Sequence, residues 1–268
     1  MNEKNNFKEI SSNWHYVLPP SRPTVAEIER IRSYLSPLDR GISIAILGST
    51  IEFRDLLASM EFSNVTVLEK NSDFYIWTKK WMAFSPVENV IYGDWREILP
   101  SKERCFAVIL SDLTMGNIPY EDRNVFYITI SKALCPGGVF IDKVLTHDES
   151  LISLEQLKVT YDKLPINLHT INRFNCEALF CSELLRDGVI DTTLFYEKLK
   201  TEFADSLKLL KIIEKCYLIT PEKCLWYYGR SWKEVSECYY RHFSRTVEYP
   251  DSIESPYYGR SRQLFNFA

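Results

Sequence analysis

Residues 42 to 69 constrain the fold more than any other stretch. Ile42-Ser43-Ile44-Ala45-Ile46-Leu47 reads as a buried strand, and Gly48-Ser49-Thr50 as a tight turn. Phe53, Leu56 and Leu57 then fall on one helical face, and a second strand, Val65-Thr66-Val67-Leu68, ends on the acid Glu69. Strand, small-residue turn, helix, strand, acid is the arrangement by which an open α/β sheet holds an adenosine-type cofactor. The turn lets backbone N–H groups approach the ligand, and the acid can take both hydroxyls of a ribose in charge-assisted hydrogen bonds.

The same alternation continues. Residues 1–23 read as irregular and aromatic-rich, and Thr24-Val25-Ala26-Glu27 is a capping box opening a helix with Ile28, Ile31 and Leu35 on its apolar face. A helix through Phe74, Trp77 and Trp81 follows Glu69. Residues 89–94 form a short third strand that exits at Gly93-Asp94, and residues 106–112 a fourth, apolar enough to be covered on both faces. A helix from about 120 to 134 leads through Cys135-Pro136-Gly137-Gly138 into a fifth strand, residues 139–145. Such alternation predicts parallel strands joined by right-handed helical crossovers.

The rhythm breaks at Thr146. Residues 147–226 read as mostly helical, opened by the capping box Ser153-Leu154-Glu155-Gln156, with Leu199, Phe203, Leu207, Leu210 and Ile213 as one stripe. The pattern resumes with a capped helix at Ser231 and two strands, 245–249 and 263–267, whose Pro-bearing connection permits an antiparallel return. The expected organisation is therefore an N-terminal segment and capping helix (1–41), an α/β core (42–146), a helical insertion (147–226) and the end of the core (227–268). The fold class is α/β: a doubly wound, mostly parallel Rossmann-like sheet with a C-terminal antiparallel strand pair. Tyr-Tyr-Gly-Arg-Ser occurs at 227–231 and again at 257–261, but the flanks do not match, so no repeat is assigned.

Composition narrows the function classes. The formal net charge is −4, without Lys/Arg clusters, which disfavours nucleic acid as a partner. No apolar run approaches the roughly 20 residues of a membrane span, and the polar N-terminus lacks a signal-peptide core, so the expected location is cytoplasmic. The seven cysteines include no C-x-x-C pair and read as reduced thiols. The four histidines lack paired ligand spacing, so no metal site is expected.

Taken together, residues 42–145 and 231–267 resemble the class I S-adenosylmethionine-dependent methyltransferases. The resemblance is carried by the turn at Gly48, the acid Glu69, the Gly93-Asp94 pair, the Leu134-Cys135-Pro136-Gly137-Gly138 turn and the closing strand pair. It implies S-adenosylmethionine as cofactor, with Gly48, Ser49 and Thr50 touching its methionine part and Glu69 its ribose. It further implies Asp94 at the adenine amino group, Trp95 packing beside the ring, and Ser111, Asp112 and Leu113 as the floor under the methyl donor. Arg22 is assigned to the cofactor's carboxylate. The departure from the family is the single glycine of the first turn, since a residue with a Cβ restricts both positive φ and close approach.

Methyl transfer from a sulfonium is an in-line displacement that needs no covalent enzyme intermediate, and no Ser-His-Asp set is present. A hydroxyl or amine acceptor would need a base within hydrogen-bond reach. Asp112 and His147 are the catalytic candidates, with Asp142 and Glu248 behind them. Asp112 has a second reading as the cap of the following loop, and Asp94 as a helix cap. The insertion is expected to cover the acceptor side, the acceptor to be a small molecule or peptide, and a homodimer is compatible with this reading. Two alternatives stand. One is a non-catalytic cofactor-binding or scaffold protein with this fold. The other, a nicotinamide-dependent oxidoreductase, is disfavoured because the turn lacks G-x-G-x-x-G and Glu52 would repel a diphosphate.

Overall fold

The computed structural model describes residues 7–146, 151–221, 223–228, 230–250 and 261–268. In chain order the elements are α1 (Phe7–Ser12), α2 (Val25–Leu35), β1 (Ile44–Leu47), α3 (Ile51–Ser59), β2 (Val65–Glu69), α4 (Ser72–Thr78), β3 (Glu88–Tyr92), α5 (Trp95–Ile98), β4 (Phe106–Asp112), α6 (Tyr120–Ala133) and β5 (Leu134–Leu145). Then follow α7 (Leu154–Tyr161), α8 (Leu168–Leu179), β6 (Ile190–Asp191), α9 (Thr192–Glu202), α10 (Leu207–Cys216), β7 (Leu225–Trp226), α11 (Trp232–His242), β8 (Arg245–Pro250) and β9 (Ser261–Phe267).

Seven strands make one sheet in the order β3-β2-β1-β4-β5-β9-β8. β1 to β5 run parallel, while β9 is antiparallel to both β5 and β8. This is the doubly wound class expected, including its closing antiparallel pair. The apolar runs follow from burial on both faces. Ile44, Ile46, Val67, Leu110 and Ile141 meet the layer holding α2 and α3, whereas Ala45, Leu47, Ile109 and Phe140 meet the layer holding α6 and α11. The capping boxes at Thr24, Ser153 and Ser231 are all formed.

Three local expectations are corrected. The N-terminal segment is not wholly irregular: α1 and a 3-10 turn at Trp14–Tyr16 lie in it, and α1 packs on α4, with Trp81 Nε1–H donating to the Ser11 carbonyl (2.5 Å). The apolar stripe from Leu199 to Ile213 is two helices, because Phe203–Ser206 break it and Ser206 caps α10, leaving Leu207 exposed. The insertion also contains the short ribbon β6–β7, whose two-residue strands are below the length at which alternation can be read. Its core, built from residues such as Leu157, Phe174, Leu199 and Ile213, is continuous with Leu145 at the end of β5. The insertion therefore stands at the carboxyl ends of the parallel strands, where such sheets bind ligands.

Candidate active site

The chain order reverses between β1 and β4, and the crevice at such a switch point opens beyond the strands' carboxyl ends. Gly48 leaves β1 with φ +88°, and its N–H donates to the Leu68 carbonyl (2.8 Å). This is the one residue of the turn that needs glycine. Ser49 is buried, and its hydroxyl donates to Glu69 Oε2 (2.6 Å). Thr50 keeps φ −55°. The missing glycines thus stand where no positive φ is required, and the buried Ser49 side chain is turned onto Glu69.

Glu69 ends β2 with only 6% of its surface exposed. Its Oε1 accepts from the Asn71 N–H (2.7 Å). Burial raises its pKa, opposed by the Ser49 and backbone hydrogen bonds. The Ser49 hydroxyl and the backbone N–H groups of Ser49, Lys70 and Asn71 all hydrogen-bond to this carboxylate and fix its orientation. Trp95 donates from Nε1 to the Leu68 carbonyl (2.7 Å), and its ring lies 3.8 Å from where a Gly48 Cβ would stand. Asp94 is the N-cap of α5, as its alternative reading allowed: Oδ1 accepts from the Arg96 N–H (2.9 Å) and both oxygens meet the Arg96 guanidinium. That hydrogen bonding holds its pKa down to about 2.

On the other side, Ser111 is buried against Asp142, its neighbour in the β4–β5 register. Leu113 is half-buried in the left-handed region (φ 60°) and its N–H donates to the Lys143 carbonyl (3.0 Å). Tyr228, from the end of the insertion, donates to the Leu113 carbonyl (3.2 Å). It packs so closely on Gly116 that a Cβ there would lie 1.8 Å from its ring. Arg123 fastens the same junction, donating to the carbonyls of Met115 (2.8 Å) and Tyr227 (2.5 Å).

Asp112 sits in a charged cluster that sequence reasoning missed. Lys143 Nζ lies 2.9 Å from Asp112 Oδ1 and 3.7 Å from Glu27 Oε2, and it donates to the Arg22 carbonyl (2.9 Å). Burial raises the Asp112 pKa to about 6, held back by Lys143 and pushed further by Glu27 and Glu52. Asp142 is fully buried, accepts from the Tyr239 hydroxyl (2.5 Å), and burial raises its pKa to about 7. The signal available in the sequence was Asp142-Lys143, two charges inside the otherwise apolar fifth strand. Arg22 does not extend freely into the crevice: it ion-pairs with Glu52 and lies over the Trp14 ring. Arg22 and Glu52 also line a groove of about 600 Å³ with Leu18, Thr24, Asp55 and Phe84, a set that excludes Gly48, Glu69 and Asp112. His147 lies outside the described residues. Glu248, on edge strand β8, bonds to the Tyr240 hydroxyl and stands apart from this group.

No protein-family model matches the chain, and no curated protein matches its sequence. Solved structures do. A Rhodobacter sphaeroides protein described as a putative Zn-dependent alcohol dehydrogenase matches over 98% of this chain and 99% of its own, at 14% identity and a TM-score of 0.57. An S-adenosylmethionine-dependent methyltransferase from Mesorhizobium loti matches over 88% and 96%, at 13% identity and a TM-score of 0.49. A probable spermidine synthase from Corynebacterium glutamicum matches over 44% of this chain and 46% of its own length, at 19% identity and a TM-score of 0.38. The first of these shows a shared fold. Among the described residues no group of three or more His, Cys, Asp and Glu side chains is placed to hold a metal ion, and no helix is long and apolar enough to cross a membrane.

Proposed function

We propose that the protein is an S-adenosylmethionine-dependent methyltransferase acting on a small molecule or peptide. The observation that carries this reading is the pairing of Gly48 and Glu69 at the switch point. A positive-φ glycine lies beside a buried carboxylate oriented by the Ser49 hydroxyl and by backbone N–H groups. When bound, the cofactor supplies a sulfonium methyl as electrophile. In this reading Glu69 accepts the ribose hydroxyls, the backbone of Gly48, Ser49 and Thr50 passes the methionine part, and Trp95 packs beside the base.

In this reading Asp112 receives an acceptor proton. Its position at the end of β4 and a pKa near the working range suit a general base. Leu113 and Tyr228 close that side and exclude water, which strengthens every charge interaction within. The Asp94 carboxylate, already held by Arg96, reaches an adenine amino group only through its remaining lone pairs. Glu52, in the first turn of α3, opposes a diphosphate at the same helix terminus.

Titration calorimetry with S-adenosylmethionine, S-adenosylhomocysteine and NAD tests this proposal. Micromolar binding of the first two alone is expected. Binding of NAD alone, or of none at millimolar concentration, overturns it.

A further inference from the structure

Lys143 is buried to 3% exposure in the middle of the sheet's carboxyl end, an expensive place for an ammonium unless its charge is matched. Its donors reach two different parts of the chain. One meets Asp112, its register partner on β4, with Glu27 of α2 further off at 3.7 Å. Another meets the backbone carbonyl of Arg22, in the segment that runs from the 3-10 turn at Trp14–Tyr16 to the cap of α2.

That segment, residues 14–23, is a strap that runs from the insertion to the end of the sheet beside Asp112. Its near end is held by α8 of the insertion: Leu18 N–H donates to Asn172 Oδ1 (3.0 Å), and Asn172 Nδ2 donates to the Tyr16 carbonyl (2.9 Å). Asn172 therefore binds the strap as a neighbouring strand would, and it is itself buried. The far end is held by the sheet through Lys143, which places the Arg22 side chain where it pairs with Glu52 and covers Trp14. The groups facing the ammonium and its carboxylate come from every element packed there: Arg22 from the strap, Glu27 from α2, Glu52 from α3, Asp142 from β5 and Tyr228 from the insertion.

We propose that Lys143 is a positioning residue with two linked duties, holding Asp112 as a carboxylate within a surplus of buried acids and fastening the strap to the end of the sheet through Arg22. A neutral side chain at 143 would leave Asp112 facing Glu27, Glu52 and Asp142 with no adjacent cation but Arg22, itself committed to Glu52. The strap would then lose its one hydrogen bond to Lys143 and be held by Asn172 and by the Arg22–Glu52 pair. The relevance of this to catalysis rests on the reading of the crevice as a ligand site, but the contacts do not depend on it.

The test uses the full chain without ligand. Amide-exchange protection of residues 14–23 and the titration of the Asp112 carboxyl by NMR are followed in wild type, Lys143→Met, Lys143→Arg and Asn172→Ala. Lys143→Met is expected to lower strap protection at least tenfold and to move the Asp112 titration from about 6 to above 7. Lys143→Arg restores most of both. Asn172→Ala lowers protection but leaves the titration in place. Unchanged strap protection in Lys143→Met overturns the proposal, as does lost protection with an unmoved Asp112 titration, which would make the lysine a space-filler. Should Lys143→Met not fold, Lys143→Gln keeps a donor for the Arg22 carbonyl without the charge. It must then raise the Asp112 titration while retaining part of the strap protection, and an unmoved titration is again fatal. If S-adenosylmethionine fails to bind wild type while these results hold, the cofactor reading falls and the positioning role stands.

Discussion

Glu69 carries more of the account than any other side chain. It accepts from Ser49 and Asn71 and is otherwise buried, so its oxygens are aimed before a ligand arrives. Such orientation reduces the ordering cost of binding. Replacing it by Ala removes the acceptors proposed for the ribose and is expected to weaken S-adenosylmethionine binding by about 1.5–3 kcal/mol, the worth of hydrogen bonds to a charged group; calorimetry on the variant measures this. As with Glu69, burial opposes the charge of Asp142. Its folded-state pKa near 7 exceeds the ordinary carboxylate value, so the native state holds the proton more tightly than the unfolded chain. The stability it contributes is complete below about pH 4 and is lost as pH rises through about 7. Asp142→Asn, which keeps an acceptor for Tyr239, is expected to raise stability at pH 8 by on the order of 2 kcal/mol and to leave it nearly unchanged at pH 4.5. Urea unfolding at both pH values reads the difference, and equal effects at the two would contradict the assignment.

At the scale of elements, the insertion is tied to the core at a junction where backbone meets ring. Gly116 is required there because Tyr228 occupies the volume of its absent Cβ. Gly116→Ala is expected to cost about 1–3 kcal/mol by overpacking and to displace Tyr228 from the Leu113 carbonyl; thermal unfolding and the exchange of the Tyr227 amide, bonded to the Gly116 carbonyl, report the two effects. Elements of this kind show what was legible beforehand. Strands β1, β2 and β4 and the three capping boxes were readable because each is specified by residues near in sequence. The ribbon β6–β7 and the split between α9 and α10 were not, because two residues carry no period and a single Ser206 cap interrupts an otherwise continuous stripe. The strap read as irregular for a related reason: its backbone is satisfied by Asn172, more than 150 residues away.

For the molecule as a whole, the sheet order and its antiparallel closing pair follow from the alternation of elements along the chain, which short right-handed connections translate into one topology. The site divides differently. Gly48, Glu69 and Asp112 were legible because strand ends are, whereas Lys143, Glu27 and Glu52 were not, since their meeting depends on how the strap and α2 lie across the sheet. The formal net charge of −4 is likewise silent about the surplus of carboxylates buried around one crevice. What joins residue, element and molecule is the claim that this crevice takes a sulfonium nucleoside with its ribose on Glu69. A crystal structure of the protein grown with S-adenosylhomocysteine tests it most directly. Both ribose hydroxyls are expected within hydrogen-bond distance of the Glu69 carboxylate, with the sulfur between Gly48 and Asp112; a ligand bound elsewhere, or a crevice closed by Trp95 with Glu69 bonded to protein donors alone, would contradict it.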